Sequence, residues 1–195
     1  ERYRSVVEDQ TELVCRYLPD TTLSFVNGAY ARYFGRSSRE LVGNSFLTLI
    51  PEEQRELAKG HLRALIENPG VGSQEHEVLT PSGDVHWQHW VDRPILNQEG
   101  RVVEFQGVGR DITDRKRAES RLRLQYTVTH ILTEADSMTE AAPRILQAVC
   151  EILNWDVGEA WRLDDDRDLL ICCQHSPQAE FAAFADASRY FDFTP

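Results

Sequence analysis

The sequence predicts an α+β domain over its first 113 residues, with helices packed against an antiparallel sheet, and a second unit of helices and one β-hairpin after it. Three observations lead there. Two β-rich runs near the start are separated from three later ones by a stretch of short helical patterns. The later three runs are joined by turns too short for anything but antiparallel pairing. Past Thr113 the pattern turns helical through about Ala135.

Taken in order, residues 1–12 read as a short opening helix. "VCRYL" (14–18) and "TLSFVN" (22–27) are strands, and Pro19-Asp20 marks a hairpin turn between them. From Asn27 to Ile50 the segments are short and helical: "NGAYARYFG" stops at Gly35, "SSRELVG" opens on a serine cap and stops at Gly43, and "NSFLTLI" runs into Pro51. The next helix has Pro51, Glu52 and Glu53 in its first turn, stops at Asn68-Pro69-Gly70, and presents Leu57, Ala58, Leu62, Leu65 and Ile66 as an apolar stripe. "SQEHEVLT" turns at Pro81-Ser82-Gly83-Asp84 into "VHWQHWVDRPIL", which turns at "NQEG" into "RVVEFQGVGRDIT", a meander of three strands. The helix after Thr113 carries Ala118, Leu122, Tyr126, Val128, Ile131, Leu132 and Ala135 as an irregular stripe. A further helix, with Thr139 as its expected cap ahead of Pro143, presents Ala142, Ile145, Leu146, Val149, Ile152 and Leu153. "WDVGEAWRL" and "DLLICCQHS" then flank an acidic turn, Asp164 to Asp168, and "EFAAFADASRYF" reads as a closing helix.

Composition narrows the function. With 41% hydrophobic and 27% charged residues among 195, the chain can bury a core. A net charge of −11 argues against a nucleic-acid partner, and Arg115-Lys116-Arg117 with Arg121 and Arg123 is interrupted by acids, as on a solvated helix face. No run is long and apolar enough to span a bilayer, and the first residues are not a signal peptide. The four cysteines, Cys15, Cys150, Cys172 and Cys173, form no CxxC pair, which favours reduced thiols and a cytoplasmic location. The chain reads as a piece of a longer protein.

The blocks "YRSVVEDQTELVCRY", "SFVNGAYARYFG", "ELVGNSFLTLIPEE", "TPSGDVHWQHWVDRPILNQEGRVVEFQGVGRDIT" and "DRKRAE" occur in an order and at distances that resemble a PAS sensor domain of the S-box type. "AAPRILQAVCEILNWDVGEAWRLDDDRDLLICC" is similar to the beginning of a GAF domain. The resemblance implies a PAS fold (a five-stranded antiparallel sheet with flanking helices) over 1–113, a connecting helix over 114–135, and a truncated GAF-like helix plus β-hairpin over 136–195. It implies a non-catalytic sensory input and relay module of a bacterial signalling protein, acting on a downstream kinase or cyclase output domain and associating as a homodimer through the connecting helix or a sheet face. Asp111, Ile112 and Thr113 are then the signal exit, with the acid and the hydroxyl tying the helix to the core.

The residues carry no catalytic constellation. His130 in "VTHILTEA" lacks the surroundings of a kinase phospho-acceptor, and neither a Gly-rich nucleotide loop nor a cyclase signature occurs. The segment "GNSFLTLIPEE" holds no cysteine for blue-light flavin chemistry, although a noncovalent flavin remains open as an alternative. Haem is a second alternative, and a PAS dimerisation scaffold with no ligand is a third. His61 lies on the apolar stripe, but the position at which the family's haem ligand falls is near Ala58, so a core-edge histidine is the expectation. His86 and His89 point to opposite faces of a strand, and no metal spacing is completed by His76. An unknown small-molecule ligand would be lined by Phe25, Tyr33, Phe46, His61, Leu62, Leu65, Ile66, Trp87 and Phe105, and no cofactor is required. Alternation puts Trp87 on one face of its strand with Val85, His89 and Val91, and Trp90 with His86 on the other, leaving open which tryptophan faces inward.

Overall fold

The computed structural model describes residues 11–164 and 169–175. The expected opening helix over 1–12 lies almost wholly outside these residues, and so do most of the acidic turn and all of the closing helix. The chain divides into two units, Glu1–Lys116 and Arg117–Pro195.

In the first unit, strands β1 (Leu13–Tyr17) and β2 (Leu23–Val26) form a hairpin, and β3 (Gly72–Leu79), β4 (Val85–Leu96) and β5 (Val102–Asp111) form the expected meander. All five join one antiparallel sheet in the order β2-β1-β5-β4-β3, because β5 returns to pair with β1. β5 is therefore the central strand, and it brings the first and last strands of the domain side by side. Between β2 and β3 lie α1 (Gly28–Tyr33), α2 (Ser38–Leu41), a 3₁₀ turn at Phe46–Leu49, and α3 (Glu52–Glu67). Asn27 caps α1, its side chain accepting from Tyr30 N–H at 2.9 Å and also from Val14 N–H of β1 at 3.1 Å, so one buried amide fixes the helix to the sheet. Ser37 and Glu40 form a capping box at α2.

Helix α3 buries a narrower stripe than expected. Ala58, Leu62 and Leu65 face the core, whereas Leu57 is 65% exposed and Ile66 is 41% exposed. The helix rests on β3 along one row of i, i+4 and i+7 positions, held by Gln54, whose Oε1 accepts from Glu77 N–H at 2.9 Å while its Nε2 donates to the Glu77 carboxylate. Leu57 and Ile66 flank that row on the solvent side.

Two tryptophans on β4 divide between the faces. Trp90 is buried, and Trp87 lies on the opposite face beneath the Lys116 ammonium, 4.7 Å from the ring centroid. The Trp90 ring lies so close on β5 that a Cβ at Gly109 would come within 2.6 Å of Cε2 and Cζ2. Gly109→Ala is therefore expected to lower stability by about 1–3 kcal/mol, whereas Gly60→Ala, in open space within α3, should raise it by up to about 1 kcal/mol. Thermal unfolding of the two variants tests the contrast, and equal midpoints would contradict it.

In the second unit, α4 (Thr113–Glu134), which starts at the end of the first unit, is followed by α5 (Met138–Leu153) and the hairpin β6 (Gly158–Asp164) and β7 (Leu169–His175). Ser137, not Thr139, caps α5, accepting from Glu140 N–H at 3.3 Å. Helix α5 thus begins earlier than expected, and Pro143 stands inside it. The serine wins because Glu140 can reach back to Asp136 N–H and complete the cap from the other side. Ile131 packs with Ala141 and Ala148, while Leu122 and Tyr126 of the expected α4 stripe are exposed. No described helix is long and apolar enough to cross a membrane.

Candidate functional site

Alternation along β4 sends Gln88, Trp90 and Asp92 to the inner face together, and all three are buried. They meet Cys15 and Tyr17 of β1, His76 of β3, Tyr30 of α1, and Phe46 of the 3₁₀ turn around a cavity of about 30 Å³. Most of the wall is aromatic or aliphatic, and apart from the Tyr30 hydroxyl its polar groups come from the strands.

The polar groups form two ends. At one, Tyr17 Oη donates to Asp92 Oδ1 at 2.6 Å. Burial, then the charge of Asp92, pushes the Tyr17 hydroxyl far above its ordinary pKa, so it stays a donor. Asp92 Oδ2 lies 3.3 Å from His61 Nε2, within ion-pair reach but outside hydrogen-bond alignment. At the other end, His76 stands directly opposite Gln88 across the β3–β4 ladder. Burial pulls the His76 pKa down to about 4, against an opposing pull from Asp92, so the ring is neutral at physiological pH.

The end of β5 carries a third cluster. Asp111 Oδ2 accepts from Tyr33 Oη at 2.6 Å and lies 3.1 Å from His86 Nδ1, while Asp111 Oδ1 accepts from Thr113 N–H at 2.7 Å. Partial burial alone would raise the Asp111 pKa, but the hydrogen bonds from Thr113, Tyr33 and His86 outweigh it and hold the carboxyl below its ordinary value. Thr113 Oγ1 accepts from Trp87 N–H at 2.9 Å, and Ile112 N–H donates to the Trp87 carbonyl. One turn on, Arg115 and Lys116 each reach the Glu75 carboxylate at 2.6 Å. The first turn of α4 is thus fastened to β3, to β4 and, through Tyr33, to α1.

The nine candidate pocket residues separate accordingly. Phe46 lines the cavity. Phe105, Leu62 and Leu65 lie in the surrounding core, with Phe105 stacked on Tyr17 at 5.2 Å. His61 sits beside Asp92, and Tyr33 belongs to the Asp111 cluster. Phe25 pairs across from the exposed Arg16, on the side of the sheet away from Cys15. Trp87 is on that outer side too, and Ile66 is at the solvent edge. Gln88, His76, Tyr17 and Asp92 escaped sequence reasoning because polar residues in a strand read as solvent-facing. For Gln88 and Asp92 the available signal was their i±2 spacing from Trp90.

Haem and flavin do not fit this arrangement. Cofactor pockets measure about 300–1,000 Å³, roughly ten to thirty times this cavity, and the His61 ring nitrogen is turned to Asp92. Among the described residues, no group of three or more His, Cys, Asp or Glu could hold a metal ion.

An antiparallel sheet covered on one face by helices, with a small cavity in its core and a helix fastened to its last strand, defines an α+β domain. The chain belongs to the PAS fold family, whose model matches residues 9–117. Over 125 residues it is 34% identical to the two-component sensor PprA of Pseudomonas aeruginosa, a match covering 63% of this chain and 13% of that protein. Over 138 residues it is 23% identical to a blue-light-activated histidine kinase of Rhizobium johnstonii, covering 71% of this chain and 39% of that one. The matched segment therefore spans well under half the length of either relative. Among solved structures it is similar to the PAS domain of a Colwellia psychrerythraea protein, with a TM-score of 0.54 and 18% identity over 58% of this chain and 96% of that one. A sensory box histidine kinase/response regulator from Burkholderia thailandensis matches with a TM-score of 0.52 and 25% identity, covering 65% of this chain and 95% of that one. The PAS domain thus resembles those of sensor histidine kinases.

Proposed function

We propose that this chain is a non-catalytic sensory input and relay module, in which occupancy of the PAS core is passed through Asp111-Ile112-Thr113 into α4 and on to an output domain of the kinase or cyclase kind. The observation that carries it is the Asp111 cluster. Gln88, on the cavity wall, stands directly opposite Asp111 in the β4–β5 ladder, and Asp111 holds Tyr33, His86 and the first amide of α4 together. A shift of β4 or α1 therefore acts on the helix start through short, charge-assisted bonds. The similarity to two-component sensors supports an output of this kind. Under this reading the PAS domain covers 1–113, the connecting helix 114–135, and a GAF-like fragment 136–195. The protein acts in the cytoplasm as a homodimer, joined through the connecting helix or the outer sheet face. The photochemistry named for the Rhizobium relative does not carry over, because "GNSFLTLIPEE" holds no cysteine.

Asp111→Ala tests the relay. Amide exchange over 112–120 should quicken by about tenfold, the effect of losing a capping interaction worth about 1 kcal/mol, while β1 and the middle of β5 keep their protection. Unchanged exchange over 112–120 would contradict the proposal.

A further inference from the structure

Three side chains of the cavity wall each carry a buried polar atom without a hydrogen-bond partner: Asp92 Oδ2, which faces His61, and two nitrogens, Gln88 Nε2 and His76 Nδ1. Gln88 is fully buried, and its Oε1 accepts from Trp90 Nε1–H at 2.8 Å. An indole N–H can only donate, so this bond fixes which end of the amide is which and leaves Nε2 as the end without a hydrogen-bond partner. The Tyr33 hydroxyl is near enough to the amide to have its pKa lowered by it, against the larger upward push of burial, but stands outside hydrogen-bond geometry to Nε2. His76, 6% exposed and facing Gln88 across the ladder, likewise has no partner at Nδ1.

Size and charge restrict what can satisfy them. A volume of about 30 Å³ admits a molecule of only a few non-hydrogen atoms. No Lys or Arg lines the cavity among the described residues, and Asp92 opposes an anion. A cation finds Asp92 already engaged by Tyr17 and flanked by His61. What is missing is an acceptor oxygen for Gln88.

We propose that the cavity binds a small neutral molecule through a carbonyl or hydroxyl oxygen, which accepts from Gln88 Nε2 and meets His76 Nδ1. A carbonyl serves both nitrogens when Nδ1 carries the proton, and a hydroxyl serves them when Nδ1 carries the lone pair. The aromatic faces of Phe46 and Trp90 cover the ligand's apolar part. The inference rests on the sensory role proposed above and adds the chemistry of what is sensed. It also names the first contact of the relay, since Gln88 holds Trp90 on one side and pairs with Asp111 on the other.

Nitrogen-15 NMR of the full chain tests it, because the Trp90 indole and Gln88 amide resonances report on the cavity. Acetamide and ethylene glycol are the carbonyl and hydroxyl probes, with acetate and methylammonium as charged controls. Saturable shifts of both resonances are expected with at least one neutral probe, and which one saturates identifies the oxygen. His76→Phe and Gln88→Met should each weaken that binding by about tenfold, one charge-free hydrogen bond's worth. Either variant serves alone, provided its β5 amide peaks match the parent's. Linear, unsaturating shifts that persist in the variants would overturn the inference, and so would saturation by methylammonium or acetate at lower concentration than by the neutral probes. Exchange over 112–120, measured on the same samples, separates the two claims. Saturation without altered exchange strikes the relay and leaves the ligand class standing, whereas no saturation strikes the ligand class alone.

Discussion

Asp92→Ala is expected to lower the unfolding free energy by about 3 kcal/mol or more, the cost of leaving two buried polar atoms, Tyr17 Oη and His61 Nε2, without the carboxylate they face. Asp92 is 2% exposed, and Tyr17 Oη donates to it at 2.6 Å. Removing the carboxylate leaves that hydroxyl buried without an acceptor, and leaves His61 Nε2, also buried, facing the space vacated. Tyr17→Phe should cost much less, about 1–2 kcal/mol, since it deletes one donor and leaves the carboxylate beside His61. In the Asp92→Ala background it should cost less still, because the pair is already gone. Urea unfolding followed by tryptophan fluorescence measures all three. A loss below about 1 kcal/mol for Asp92→Ala would show that the pair contributes no more than a surface ion pair.

The second large effect is a pH dependence. The His76 pKa falls from an ordinary 6.5 to about 4 on folding, chiefly by burial. Between those values the unfolded chain binds a proton that the folded protein refuses. The stability tied to the neutral ring is therefore fully present above pH 6.5 and is lost progressively as pH falls toward 4. The loss approaches about 3 kcal/mol, taking about 1.4 kcal/mol for each pKa unit. Carboxylates titrate in the lower part of this window too, so the test is the difference between parent and His76→Phe. The difference in unfolding free energy between the two proteins should change steadily from pH 6.5 to 4 and level off on either side. Parallel curves would show that His76 is free to protonate in the folded state.

Much of the first unit was legible as sequence. Strand runs, glycine stops and turn chemistry placed every element of residues 13–111 within a few positions, because these signals are local. The joint between β5 and α4 was legible too. The switch from a small-residue strand to a charged helix falls at Asp111-Ile112-Thr113, and Asp111 accepts from Thr113 N–H two residues away. Ser137 shows where local signals mislead, since it and Thr139 are both plausible caps and a side chain from Glu140 decides between them.

The cavity was not legible, for a physical reason. A period of two says that Gln88, Trp90 and Asp92 share a face and that Trp87 does not, but it carries no sign saying which face is inside. That sign comes from where α1 and α3 pack and from β5 pairing with β1 across most of the domain's length. Only then do Gln88, His76 and Asp92, each polar enough to read as surface, become buried neighbours. By itself the sequence determined the elements, their order and the place where the chain leaves the PAS core. Tertiary structure alone decided which polar side chains the core encloses, because burial depends on long-range pairing that no local pattern encodes.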